Sequence, residues 1–310
     1  MKPARAVFAY MFLISMAACQ PVRTVKVTVI GDDQKPVEGA NVVVWYYGYL
    51  PEHTKEVEGL TDEEGVFEAK GQPLLGILSR VNKEGYYETE SEDLNKREDH
   101  DITLVLREKK NPIPLYAKNE VLRFPANREW IGYDFEVGDW TDPYGRGHVA
   151  DVLFMCDTET ADLEDGKGIL QIKFKEDEGI VISKENYLNS SAMKMPHEAP
   201  LKGYVNSFVR EEGSFRNEER TKNTGYFFRT RVSKNESEIL SARYGKIIRD
   251  ISFYPVHTKF RKKGGDLVNS YATVKFTYYF NPAPNDRNLE FDPSRNLLKN
   301  LDLKEQVREP

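Results

Sequence analysis

The chain has 310 residues, 30% of them charged and 39% hydrophobic, which is length for two ordinary domains and apolar surface for a buried core. Its formal charge is −6, and losing Lys2 and Arg5 with an N-terminal signal leaves 42 basic against 50 acidic residues, or −8. Such a balance argues against nucleic acid or an anionic lipid surface as the main partner.

Lys2 and Arg5 precede an apolar run over residues 6–18, broken only by Tyr10 and Ser15, and polarity resumes abruptly at Gln20. The run has the layout of an export signal and is short for a membrane span. Met16-Ala17-Ala18-Cys19 resembles the bacterial lipobox, with Met where Leu is usual. The resemblance implies that residues 1–18 are removed and that Cys19 carries a diacylglycerol. The expected partner is then a membrane, reached through the N-terminal lipid. Two alternatives are cleavage by the general signal peptidase and retention of the run as an anchor. All three place residues 20–310 outside the cytoplasm. Gln20 lacks the acidic character of an inner-membrane retention signal, which favours an outer-membrane destination.

With Cys19 acylated, Cys156 has no partner for an intrachain disulfide. It closes the apolar run Val152-Leu153-Phe154-Met155-Cys156, the setting of a buried strand thiol rather than of a nucleophile with a neighbouring base.

Val25, Val27 and Val29 alternate with polar residues and predict a strand. A turn at residues 31–36 leads into Pro36-Val37-Glu38-Gly39-Ala40 and the apolar run that ends at Tyr47. Leu60-Thr61-Asp62-Glu63-Glu64-Gly65-Val66-Phe67 reads as strand, tight turn, strand, with Gly65 at the corner. Another apolar segment, 77–81, leads to the corner Lys83-Glu84-Gly85-Tyr86. The last strand covers 101–107, where Ile102, Leu104 and Leu106 share one face. In this order and spacing, these motifs resemble the carboxypeptidase regulatory-like domain. The resemblance covers residues 22–108 and implies a transthyretin-like, seven-stranded β-sandwich without catalytic residues, used as an accessory, spacer or adhesion module. His53-Thr54-Lys55-Glu56 matches the zinc pair of metallocarboxypeptidases in form only, since it lies in a polar loop of the accessory domain.

The domain organisation expected is a signal over 1–18, the regulatory-like domain over 19–108, a linker over 109–115 and a second domain over 116–310. The linker reading rests on charges followed by Pro112 and Pro114. In the second domain, strand-like segments recur near 130–137, 148–156, 168–174, 179–183, 203–210, 225–232, 247–254 and 270–280. Helical periodicity is missing apart from a turn or two near 297–306. The fold class expected is all-β, the second domain being an antiparallel, jelly-roll-like sandwich. The tail from Asn281 breaks pairing and straps across the sandwich end. Residues 259–265, rich in Lys and Arg, read as a solvated hairpin tip.

Four sets of residues invite a functional reading. Asp157, Glu159, Asp162 and Asp165 form an acidic, oxygen-rich loop that suits calcium but misses the EF-hand register; the simpler reading is a solvated loop. Asp139, Asp142, His148 and Asp151 mix carboxylates and imidazole at a turn-rich rim and would suit glycan hydrolysis if two carboxylates faced one cleft. Turn-capping aspartates are the simpler reading. Trp130, Tyr133, Trp140 and Tyr144 would stack on sugars if exposed and fill core if not. Ser191-Ala192-Met193-Lys194 has the spacing of penicillin-recognising enzymes but lacks their surroundings. No cofactor is expected. The partners expected are an envelope protein or a glycan, and the reading is of binding, assembly or surface display rather than catalysis.

Overall fold

The computed structural model describes residues 21–158, 167–184, 191–212, 224–236, 238–257, 260–261, 267–268 and 271–310. The chain divides into two compact units, one of residues 1–109 with 187–192 and one of residues 110–186 with 193–310. Among the described residues no helix is long and apolar enough to cross a membrane.

The first unit contains β1 (Arg23–Gly31), β2 (Asn41–Tyr46), β3 (Lys55–Leu60), β4 (Val66–Gly71), β5 (Ile77–Asn82), β6 (Thr89–Glu90) and β7 (His100–Leu106). They form two sheets, β4-β1-β7 and β3-β2-β5-β6. All pairs are antiparallel except β1 with β7. Val25, Val27 and Val29 of one sheet and Val42, Val44, Tyr46, Ile77 and Val81 of the other share a single buried cluster. Period-two burial in both sheets is what makes this a sandwich.

The motifs read from the sequence meet at one corner. Thr61 is buried, donates to the Val37 carbonyl at 2.6 Å and accepts from the Ala40 amide at 2.9 Å. Lys83 Nζ donates to the Glu38 carbonyl at 2.6 Å. Gly65 has φ +73°, and a Cβ there would lie 2.5 Å from the Val29 carbonyl oxygen, so glycine is required. The Asp62–Gly65 turn is no hairpin, because β3 and β4 belong to different sheets. In addition, Ser191 bridges Thr89 and the Ala192 amide donates to the Glu88 carbonyl at 2.6 Å, extending the four-stranded sheet beyond β6.

The second unit contains β8 (Tyr116–Arg123), β9 (Ile131–Asp134), β10 (Asp139–Trp140), β11 (Val152–Thr158), β12 (Gly168–Lys173), β13 (Gly179–Lys184), β14 (Ser207–Glu212), β15 (Thr224–Asn235), β16 (Glu238–His257), β17 (Phe260–Arg261), β18 (Leu267–Val268) and β19 (Tyr271–Asn281). Two five-stranded sheets, β10-β9-β11-β12-β14 and β13-β15-β16-β19-β8, enclose an aromatic core. Their ladders are antiparallel throughout. The backbones of β17 and β18 pair as a hairpin; the tip of the predicted basic loop, 262–266, lies outside the described residues.

The stretch expected to be a linker is bound into the second unit. The buried Glu290 carboxylate accepts the amides of Lys110 and Asn111 at 2.9 and 2.6 Å, and Leu115 is fully buried. Prolines 112 and 114 have no amide to satisfy, so this packing leaves no buried donor orphaned there. Residues 297–306 run beside β8: Leu297 donates to the Leu115 carbonyl at 3.0 Å and Asn119 to that of Glu305 at 2.9 Å. Glu309 then reaches β19 and β16, its carbonyl accepting from the Tyr279 hydroxyl at 3.2 Å and its carboxylate lying 3.5 Å from Arg249.

Trp140 is held by Phe124, Tyr133 and Phe154 at ring distances of 5.5 to 5.8 Å. Trp140→Ala should cost about 3–5 kcal/mol, whereas Val121→Ala, at a position 64% exposed on edge strand β8, should stay within about 0.5 kcal/mol. Urea unfolding of the two variants measures the difference.

Candidate functional site

The rim expected to carry chemistry begins with the hairpin of β9 and β10, closed by Gly138 at φ +67° and its 2.8 Å amide bond to the Asp134 carbonyl. The chain then loops over residues 141–151, fixed by Thr141 to the Gly132 carbonyl and by Gly147 to that of Trp140, both at 2.8 Å. Asp134 organises this loop. One carboxylate oxygen accepts the amides of His148 and Val149 at 3.0 Å, and the other accepts those of Glu136 and Val137 at 3.0 and 3.3 Å.

Across from it stands Arg231 on β15. A register shift between Thr230 and Ser233, with Arg231 at φ +51°, brings its guanidinium over the buried Phe280 ring at 5.3 Å. Arg231 donates to both oxygens of Asp151, from Nε at 2.8 Å and Nη2 at 3.0 Å, and to Asp134 at 3.3 Å. Its Nη1 lies 2.6 Å from Glu136. Asp151 also accepts the Phe135 amide at 3.0 Å. Burial alone would lower the Arg231 pKa, but its bonds to Asp151 and Glu136 more than offset this and keep it charged. Beside it the Glu178 carboxyl, buried against the Thr230 hydroxyl and the Val232 amide at 3.3 Å each, is pushed above its ordinary value by desolvation.

The four rim groups named from the sequence do not converge. Asp151 points inward to Arg231. Asp139 accepts the Trp140 amide at 2.8 Å and the Arg146 Nε at 3.1 Å. Asp142 and His148 are exposed. Two carboxylates facing one cleft, the geometry needed for acid and base roles, is replaced by carboxylates spent as acceptors. The sequence reading missed Asp134 and Arg231. Only a charged residue inside each predicted strand marked them.

The aromatic set divides in half. Tyr133 and Trp140 are core residues, a correction to their reading as ligand contacts. They are cross-strand partners on the inward face of the hairpin, their rings edge-to-face at 5.8 Å. The Tyr133 hydroxyl donates to buried Glu120 at 2.8 Å. Trp130 and Tyr144 are 42% and 39% exposed. The Tyr144 hydroxyl donates to Glu129 at 2.7 Å, which ties the loop to the residue before Trp130.

Of the calcium candidates, Asp157 is paired with Arg128 at 2.7 Å, a cation already in place. Glu159, Asp162 and Asp165 lie outside the described residues, as does Cys19. Among the described residues no cluster of three metal-ligating side chains occurs. Glu56 accepts the Trp45 indole N–H at 2.8 Å, which occupies the carboxylate of the zinc-like pair. Cys156 is buried, and desolvation pushes its thiol up to about 11, which suppresses the thiolate. Ser191 and Lys194 fall in different units.

Arg231→Met should cost about 3–5 kcal/mol at neutral pH, since Asp134 and Asp151 would stay buried without their cation. Arg231→Lys should recover little of this, because an ammonium cannot make the two-pronged contact. Both are read by urea unfolding. The Glu178 pKa is higher in the folded chain than in the unfolded one, so its stabilisation is full below pH 4.5 and lost as pH rises through the raised value. Glu178→Gln, which mimics the protonated acid, should flatten that part of the fall in Tm between pH 4.5 and neutrality; an unchanged pH profile would rule this assignment out.

No family model and no curated protein matches the chain. Solved structures align with it, two of them as follows. One is a Bacteroides uniformis ATCC 8492 protein whose description proposes carbohydrate binding: 9% identity, 82% of this chain and 97% of that one, TM-score 0.20. The other is a substituted form of the shaft pilin of Lactobacillus rhamnosus GG: 9% identity, 72% and 93%, TM-score 0.21. Scores this low carry no functional argument.

Proposed function

We propose that this chain is a lipid-anchored protein of the bacterial cell envelope, held through Cys19, whose two β-sandwiches serve binding, assembly or display rather than catalysis. The observation that carries the non-catalytic part is the commitment of the rim carboxylates. Asp134 and Asp151 hold Arg231 and the loop amides, and Asp139 holds Arg146. A hydrolase working at this rim would need such groups facing substrate. The anchor reading is supported by the basic start, the apolar run and the small residues before Cys19. The carboxypeptidase regulatory-like reading of the first unit is supported by the meeting of its motifs through Thr61, Gly65 and Lys83. Gln20 after the cysteine supports an outer-membrane location in a cell with two membranes.

A second reading is glycan contact at the loop rim. It is favoured by the exposed rings of Trp130, just before β9, and of Tyr144, on the loop that Asp134 braces. Rings presented this way can stack on sugar faces at little ordering cost.

Cells fed radioactive palmitate should label the wild-type protein and not Cys19→Ala; equal labelling of the two would remove the anchor. A glycan array and pull-down with the processed chain separates the two binding readings. If sugars are the ligand, array signal should fall about tenfold or more in the Trp130→Ala, Tyr144→Ala double variant, with Tm unchanged.

A further inference from the structure

At one end of the first sandwich, large apolar side chains face solvent. Among the described residues of that unit the most exposed are Val22, Tyr49, Leu50, Leu60 and Leu75, at 50% to 66%. Leu60, paired with Asn41, is at the other end; strand register brings the remaining four together. Arg23 opens β1 opposite Gly71, the last residue of β4, so Val22 lies at the end where the 72–76 loop carries Leu75. Tyr46, the last residue of β2, pairs with Lys55 and Ile77, which puts the 47–54 loop with Tyr49 and Leu50 there too.

Backbone bonds hold this tip in shape. The Tyr47 carbonyl accepts the amides of Leu74 and Leu75 at 2.8 and 3.0 Å, and its amide donates to the Gly76 carbonyl at 2.9 Å. His53 donates to the Leu50 carbonyl and Thr54 to that of Pro51, both at 3.0 Å, which closes the turn after Tyr49. Lys96 Nζ donates to the Leu74 carbonyl, and Arg23 Nε to the Lys96 carbonyl at 3.3 Å, so the start of β1 is tied to the same loops. Apolar groups presented on fixed loops lose little freedom when they are covered.

What covers the tip follows from the chain before it. Three steps of chain separate Val22 from Cys19, a reach of at most about 11 Å. The opposite end lies about 27 Å away along the nine residues of β1. A lipid on Cys19 therefore draws this end to the bilayer and not the other, where Leu106 closes β7 beside Gly31 and the chain leaves the unit. Charges here are of both signs, Lys55 and Arg97 with Glu52 and Asp93, so the attraction is apolar. Tyrosine and leucine suit the boundary of headgroups and acyl chains, where a phenol stays wet while its ring is buried. We propose that the tip formed by Tyr49, Leu50 and Leu75 is a membrane-seating surface that enters the headgroup region of the bilayer holding the Cys19 lipid. This rests on the anchor reading and adds to it a second, protein-borne contact that sets the first sandwich end-on to the lipid.

The test uses the chain purified from cells and reconstituted in phosphatidylcholine vesicles, with a polarity-sensitive fluorophore on one introduced cysteine. Cys156 is buried with its thiol pushed up to about 11, so it stays unlabelled. Labels in Leu50→Cys and Leu75→Cys should shift to the blue on reconstitution and lose emission to spin-labelled lipid. A label in Leu60→Cys, at the far end, should do neither. Tyr49→Glu with Leu50→Glu should abolish the response at position 75 and leave Tm unchanged, since both side chains are exposed. Flotation with the vesicles reads the anchor separately: the wild type should float and Cys19→Ala should not. If the wild type floats through Cys19 while labels at 50 and 75 respond no more than the one at 60, or the two glutamates leave the response at 75 intact, the seating surface is overturned and the anchor stands. A wild-type chain that does not float removes the anchor and the seating together.

Discussion

Removing a guanidinium from water costs several kcal/mol unless its donors and charge are met inside, and Arg231 is met from three directions. Asp134 comes from the end of β9, Glu136 from the turn that follows and Asp151 from the end of the 141–151 loop. The bulge in β15 is what brings the arginine to them. Since Asp134 and Asp151 also accept amides from the hairpin and loop, one ion cluster fixes a stretch of backbone from Phe135 to Asp151. Much of the second sandwich's irregular structure follows from satisfying that single cation.

The same rule governs other buried charges of this unit. Lys118 is paired with Glu120 and donates to the Gly138 carbonyl at 2.8 Å, so the turn after β9 is pinned from β8 as well. Asp250 is enclosed by Arg210 and Tyr226, and Glu290 closes over the amides of residues 110 and 111. Each network joins elements that sheet pairing alone would leave independent. Hydrophobic alternation builds the layers, and paired charges set where loops attach to them.

Alternation of apolar residues made most strands legible, because period-two burial is written residue by residue: Val25, Val27 and Val29, or Ile102, Leu104 and Leu106. Edge strand β8 was missed for the same reason. Its inward positions include Lys118 and Glu120, which read as solvent-facing until their partners are known. Of long β16 only 247–254 was legible, a stretch that spans the register shift between Ile248 and Ser252. The rim was harder. Asp151 and Arg231 are eighty positions apart, and no local signal says that they meet. Trp130 and Trp140 each follow an acidic residue, and it is pairing to Tyr133 across a hairpin that marks Trp140 as the buried ring.

That pairing bears on function. A contact surface made of loop side chains gains affinity when the loop is already ordered, because less conformational freedom is lost on binding. Trp130 adjoins a strand whose last residue is the carboxylate Asp134, and Tyr144 sits in the loop which that carboxylate caps and is tied to Glu129 by its own hydroxyl. The core rings Tyr133 and Trp140 close the hairpin from beneath. Carboxylates that would otherwise be candidates for catalysis thus hold the rim still. This is the division of labour expected where the working contact is aromatic and the charges are scaffolding.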